Sequence, residues 1–191
     1  MRNEGLNRQI KILGISGSLK SSSTNSSLLR AIGKLFPPEA EYIIYNGPGN
    51  LPHFSPDIDG DNSPEAVIEF RKLLRAADGV IICTPEYAFG VPGVLKNALD
   101  WTVSSGDFYE MPAAIISASP LHSRGDKAHA SLMMTMTAMQ ATVTDNLKLM
   151  IGSINKKLHG DEITDIDTKV ELINIVNELL RVIAEKPKPV L

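Results

Sequence analysis

Short, mostly apolar runs recur along the chain, separated by longer stretches with a helical spacing of apolar residues. The runs are Ile10–Ser16, Glu41–Tyr45, Gly79–Thr84 and Ala113–Ser119, and a last one is predicted within 143–151. They are too short for helices, and most lack the alternation of a half-exposed sheet, so they predict buried strands. The spacing predicts helices over Asn25–Phe36, ended by Pro37-Pro38, and from Ser63-Pro64-Glu65 to Ala77. In the second of these Ser63 is the expected cap and Pro64 the first helical residue. Pro92 opens the next helix, through Leu95, Leu99 and Trp101. Further helices are predicted over Ala128–Ala141, with Leu132, Met136 and Met139 on one face, and over Asp167–Ala184. Strands alternating with helices predict a parallel sheet covered on both faces. Five strands fit the order 2-1-3-4-5, with ligands at the carboxyl ends, where the order switches between strands 1 and 3.

The length of 191 residues fits one domain spanning 1–191, with 1–9 and 186–191 as flexible tails. Hydrophobic residues make up 43 %, enough for a sizeable core, so a disordered chain is not expected. The net charge of −3 offers no basic stripe for nucleic acid. The single Cys83 excludes an internal disulfide and a cysteine-based zinc site, and the four histidines show no metal spacing. No apolar run has the length of a membrane span or the flanks of a signal peptide, so a soluble cytoplasmic protein is expected. The stretch 46–62, rich in Gly, Pro, Asp and Asn, exceeds an ordinary connection and reads as a functional or interface loop.

The chemistry is concentrated after strands 1, 3 and 4. After strand 1 comes Gly17-Ser18-Leu19-Lys20-Ser21-Ser22-Ser23-Thr24-Asn25, leading into a helix. Unpaired N–H groups at a helix start and the positive end of its dipole favour an anion there, and the hydroxyls add donors. The loop has neither the ATP-type Gly-x-x-x-x-Gly-Lys nor the dinucleotide-type Gly-x-Gly-x-x-Gly pattern, which leaves a terminal monophosphate as the expected anion. After strand 3, Pro85 and Pro92 stiffen the loop, while Gly90 and Gly93 allow backbone close to a ligand. Tyr87 and Phe89 offer a flat wall for a planar heterocycle. The loop from Ser117 and Ser119 to Arg124 and Gly125 is placed to close the other side. Cys83 is followed six residues later by Phe89 instead of Arg, so it is no phosphatase nucleophile and reads as a buried apolar residue.

The first two loops resemble those of the NADPH-dependent FMN reductase family, which includes quinone, chromate and azo-dye reductases. Gly17 to Asn25 is similar to that family's Gly-Ser-Leu-Arg-x-x-Ser-x-Asn. Pro85 to Trp101 is similar to Pro-Glu-Tyr-Asn-x-Ser-x-Pro-Gly-x-Leu-Lys-Asn-Ala-Ile-Asp-Trp. The resemblance implies an α/β, flavodoxin-like three-layer sandwich and a site for FMN. It assigns Ser18, Lys20, Ser23 and Asn25 to the phosphate, with Ser16 and Thr24 beside them. It assigns Pro85, Glu86 and Tyr87, with Ala88, Phe89 and Gly90, to the flavin border, and Ser117, Ser119 and Gly125 to the other edge. Lys20 stands where the family has arginine, Ala88 where asparagine is common and Gly90 where serine is common. Arg124-Gly125 stands where two glycines are common, which makes Arg124 a candidate for a phosphate of the nicotinamide nucleotide.

The implied function is hydride transfer from NADPH or NADH to FMN and on to a quinone, azo compound, free flavin or metal oxyanion. The flavin would carry the chemistry, so no catalytic acid–base set and no metal are expected. A homodimer or homotetramer is implied, with 46–62 and 92–105 as interface candidates. Trp101 would pack on the partner subunit, and Asp100 would meet a cation there. Glu86 could act as an acid, and a carboxylate beside a flavin can equally be structural. A flavodoxin-like electron carrier or redox-sensing binding protein is the alternative.

Overall fold

The computed structural model describes residues 9–186, so the expected tails lie almost wholly outside it. Five parallel strands form one sheet in the order β2-β1-β3-β4-β5. They are β1 (Ile10–Ser16), β2 (Ala40–Tyr45), β3 (Gly79–Thr84), β4 (Ala113–Ala118) and β5 (Lys148–Ile151). The helices are α1 (Thr24–Gly33), α2 (Glu65–Ala76), α3 (Gly93–Asp100), α4 (Asp126–Ala138) and α5 (Ile166–Glu185). Alternate strand residues face opposite sides, so the sheet carries two cores. Ile12, Ile81, Cys83 and Ile116 pack with Leu28, Leu29 and Ile32 of α1 and with Leu172, Ile175 and Leu179 of α5. Leu13, Ile15, Val80, Ile82 and Ile115 pack with Val67, Phe70 and Leu74 of α2, Leu95 and Leu99 of α3, and Leu132 and Met136 of α4. This is the expected flavodoxin-like three-layer sandwich. No described helix is long and apolar enough to cross a membrane.

Several boundaries differ from the expectation. The first helix stops at Gly33, before Pro37, and Tyr42 packs over that glycine. A Cβ on Gly33 would sit 2.7 Å from Tyr42 Cδ1, and Phe36 stacks on the same ring at 5.2 Å. Ser63 does not cap α2. Its hydroxyl accepts from Arg71 Nη1 at 3.1 Å, and Pro64 occupies the cap position. The last strand is only Lys148–Ile151, because Asp145–Leu147 forms a tight turn before it. A small unexpected hairpin, β6 (Leu158–His159) with β7 (Glu162–Ile163), is tied to α1 by Arg30 Nε on Asp161 at 2.8 Å.

The 46–62 loop is fastened to its own chain. Arg71, 6 % exposed, donates to the Trp101 carbonyl at 2.7 Å and to Asp59 at 2.7 Å, with Asp107 at 3.9 Å. Trp101 is fully buried, with its indole N–H on the Pro52 carbonyl at 2.8 Å and Phe54 edge-on at 5.1 Å. The expected packing of Trp101 on a partner subunit is therefore replaced by packing within the chain, because 52–54 folds over it. Asp100 pairs with Lys96, one helical turn away. Of the methionines on α4, Met136 is buried and Met134 is exposed.

Two outcomes follow from these contacts. A Cβ on Gly14 would lie 2.5 Å from the buried hydroxyl of Tyr42. Gly14→Ala is expected to cost about 1–3 kcal/mol in urea unfolding, and Tyr42→Phe in the same chain to recover part of it. An additive double-mutant cycle would contradict that contact. Hydrogen bonding from Ser104 and Arg71 holds the Asp59 carboxyl at about 2, below the unfolded value of about 3.9. A lowered folded value stabilises above the unfolded one and is lost as pH falls. The stability gap between the wild type and Asp59→Asn is thus expected to be flat near neutrality and to close between about pH 4 and pH 2. A gap that stays constant across that window would count against it.

Candidate functional site

The strands end together at one edge, with Ser16 beside Cys83, Thr84 beside Ser117 and Ala118 beside Ile151. The Gly17 N–H donates to the Cys83 carbonyl at 2.8 Å, carrying the β1–β3 ladder one residue into the first loop. Only glycine fits at 17, because a Cβ would lie 2.9 Å from Thr84 Oγ1 and 3.3 Å from Thr84 Cα.

The first loop then delivers a helix N-terminus to this edge. The Ser23 N–H closes a turn on the Lys20 carbonyl at 2.9 Å, and its hydroxyl caps α1 by accepting from the Ser26 N–H at 3.4 Å. That leaves the N–H groups of Thr24 and Asn25 without an acceptor among the described residues, facing out of the positive end of the helix. The first turn of α1 carries no acidic residue to neutralise them. The same loop carries the hydroxyls of Ser18, Ser21 and Ser22 and the exposed Lys20. Asn25 is 4 % exposed. Its Nδ2 is turned to the Ala118 carbonyl at 3.5 Å, and its buried Oδ1 has no partner. Ser16 works behind the loop, with its hydroxyl 2.9 Å from that of Ser26.

The loop after β3 is a tight hairpin. Tyr87 and Gly90 exchange two backbone hydrogen bonds of 3.0 Å, which puts Ala88 and Phe89 at φ 48° and 61°. Two-residue turns of this kind normally use Asn or Gly, and a side chain there costs about 1–2 kcal/mol per residue. The turn leaves Phe89 80 % exposed and Tyr87 54 % exposed on the rim. The Tyr87 hydroxyl lies 3.4 Å from Ser18 Oγ, so the first and second loops meet. Glu86 turns the other way. Its Oε2 accepts from the N–H groups of Lys127 at 2.8 Å and Ala128 at 3.0 Å. The carboxylate considered as an acid is thus the cap of α4, tying the hairpin to that helix.

The loop after β4 is braced the same way. Ser117 Oγ donates to the Arg124 carbonyl at 2.8 Å, and Ser119 Oγ accepts from the Leu121 N–H at 3.1 Å. Gly125, at φ 71°, sits with its Cα hydrogens toward Ser117 and Glu86, where a Cβ would be 3.4 and 3.6 Å from theirs. The residues singled out by sequence therefore fall into two groups. Ser18, Lys20, Thr24, Tyr87, Ala88, Phe89 and Gly90 lie along the open edge, and the Asn25 side chain is buried behind them against Ala118. Ser16, Ser23, Glu86, Ser117 and Ser119 have their side chains bonded to backbone or to one another and hold the loops in place, with Pro85 and Gly125 between them.

Burial pushes the Cys83 thiol far up, which makes it inert. Burial, with Lys148 nearby, lowers His129 and favours its neutral form. No group of three His, Cys, Asp or Glu side chains suited to a metal occurs among the described residues. Sequence reasoning missed the contribution of the segment after β5. Asn155 Oδ1 lies 3.5 Å from Thr24 Oγ1, and Ser153 Oγ lies 3.4 Å from His122 Nδ1. No motif marks 153–157, and only the place of β5 beside β4 brings it to the site.

Comparison with known proteins agrees with this architecture. The family model of the NADPH-dependent FMN reductases matches residues 10–156. An NAD(P)H-dependent FMN reductase of Pseudomonas aeruginosa is 37 % identical over 146 residues, 75 % of this chain and 78 % of that protein. A quinone reductase of Escherichia coli is 28 % identical over 156 residues, 80 % of this chain and 83 % of that one. Among solved structures, the flavoenzyme NAD(P)H:(acceptor) oxidoreductase of Paracoccus denitrificans superposes with a TM-score of 0.83 at 27 % identity, covering 92 % of this chain and 98 % of that chain. With both characteristic loops in place at the carboxyl edge, this chain belongs to the NADPH-dependent FMN reductase family.

Proposed function

We propose that the chain is an FMN-containing oxidoreductase that moves hydride from NADPH or NADH to a small-molecule acceptor of the quinone class. The carrying observation is the pair of open N–H groups of Thr24 and Asn25, at the end of a loop that carries hydroxyls and Lys20. The donor set suits FMN at two points. A phosphate dianion matches the positive helix end and its free N–H groups. The buried Asn25 Oδ1 calls for a hydroxyl donor, which the polyol chain of FMN carries. When bound, FMN supplies reversible two-electron hydride chemistry. The net reaction takes NAD(P)H, a quinone and one proton to NAD(P)+ and the hydroquinone.

In this reading the protein's residues bind and orient. Ser18, Lys20 and the N–H groups of Thr24 and Asn25 hold the phosphate. The hairpin Tyr87–Gly90 borders the ring, held in place by Glu86 through its bonds to α4. With its Oε2 bonded to two N–H groups of α4, Glu86 acts as a positioning residue. Lys20 offers a single charge where an arginine would offer a fork, so it adds attraction with little orientation. The quinone class is supported by the relatives named quinone reductases.

The phosphate assignment is tested by Ser18→Ala combined with Thr24→Pro. Thr24 is the first helical residue, where proline keeps the helix and deletes the N–H, together with the hydroxyl that meets Asn155. Each lost contact to a charged phosphate is worth about 1.5–3 kcal/mol, so FMN affinity is expected to fall by on the order of a hundredfold or more. Fluorescence titration of FMN into the refolded, flavin-free protein reads this directly, with circular dichroism checking the fold. Wild-type affinity in the folded variant would refute the assignment.

A further inference from the structure

Beside the site lies a cavity of about 280 Å³ lined by His122, Arg124, Met150, Gly152, Ser153, Lys157 and Glu171. It is formed where the loop after β4 meets the segment after β5, and Arg124 links it to the site through Gly125. Several features of this cavity are unusual. Arg124 holds a left-handed backbone, φ 61°, which an arginine adopts only at a cost, and buried Ser117 fixes it by donating to its carbonyl at 2.8 Å. Its stem lies across Gly152, where a Cβ would come within 3.0 Å of Arg124 Cγ. Its guanidinium has no hydrogen bond or ion pair among the described residues. On the opposite wall Ser153 is also left-handed, φ 53°. Lys157 adds a second fixed positive charge, only loosely balanced by Asp165 at 4.0 Å, and Glu171 on the exposed rim is the one acidic lining residue.

We infer that this cavity takes the 2′-phosphate of NADPH, with Arg124 and Lys157 as its ligands and His122 and Ser153 as hydrogen-bonding neighbours. The inference rests on the proposed oxidoreductase reading and adds a choice between the two nicotinamide dinucleotides. A fork-shaped guanidinium held off its preferred backbone, beside a second cation and without a protein partner, suits a phosphate monoester. The same chemistry would suit a pyrophosphate, which NADH and NADPH share. The two differ in what they predict for adenosine fragments.

Calorimetric titration of the flavin-loaded protein with adenosine 2′,5′-bisphosphate, 5′-AMP and ADP separates them. The bisphosphate is expected to bind at least about tenfold tighter than either of the others. Arg124→Gly relieves the left-handed backbone while deleting the guanidinium, so it is expected to fold at least as well. It and Lys157→Ala are each expected to lower bisphosphate affinity about tenfold or more and to leave 5′-AMP unchanged. Equal binding of the bisphosphate and ADP, or variants that bind it like the wild type, would overturn the inference. A protein that binds the bisphosphate as expected yet oxidises neither dinucleotide would instead count against the proposed function alone.

Discussion

The 2.8 Å hydrogen bond from the Gly17 N–H to the Cys83 carbonyl is the constraint on which the site depends. It joins the end of β1 to the end of β3 at the point where the strand order reverses. From there the chain must climb over the sheet edge, and α1 begins with its N-terminus above the crevice. Gly17 is the only residue type that permits the approach, since Thr84 occupies the space a side chain would need. A helix starting one turn later would point its free N–H groups at solvent. Starting here, it follows directly on a loop whose Ser18 hydroxyl lies 3.4 Å from that of Tyr87.

Around that anchor the polar side chains divide their work. Those with buried oxygens, such as Ser16, Ser117 and Ser119, are bonded to backbone or to another hydroxyl and fix loop shape. Glu86 does the same across a longer distance by capping α4. Among the described residues, two helix N–H groups, the Asn25 Oδ1 and the Arg124 guanidinium at this edge have no partner. Strain is stored in the same region, at Ala88, Phe89, Arg124 and Ser153, all left-handed without being glycine. Such positions persist only where neighbouring bonds over-determine them. The proposed cofactor and the proposed dinucleotide phosphate each match one set of the unpaired groups.

Much of this was legible in the sequence. The sheet order followed from apolar strands alternating with helices, and the two long motifs located the loops at its carboxyl edge. What the sequence hid was tertiary. Gly33 and Gly14 read as ordinary residues until Tyr42 is seen lying between them. Ser63 reads as a helix cap, and only the fold shows Arg71 claiming its hydroxyl. Trp101 reads as a surface aromatic because the segment 52–54 that covers it lies nearly fifty residues earlier. The hairpin at 158–163 is too short to leave a periodic trace. Likewise, the serines of the site could be found by type, but which of them are committed and which are open depends on partners far away in the chain.

The most direct test is the ratio of affinities for FMN and riboflavin, which differ only in the terminal phosphate. Fluorescence titration of the flavin-free protein with each gives that ratio. The account predicts that FMN binds tighter by on the order of a hundredfold or more, because the phosphate meets a charge and several N–H donors. Equal affinities would mean that the helix end above the β1–β3 crevice holds no phosphate, and would contradict the account at its base.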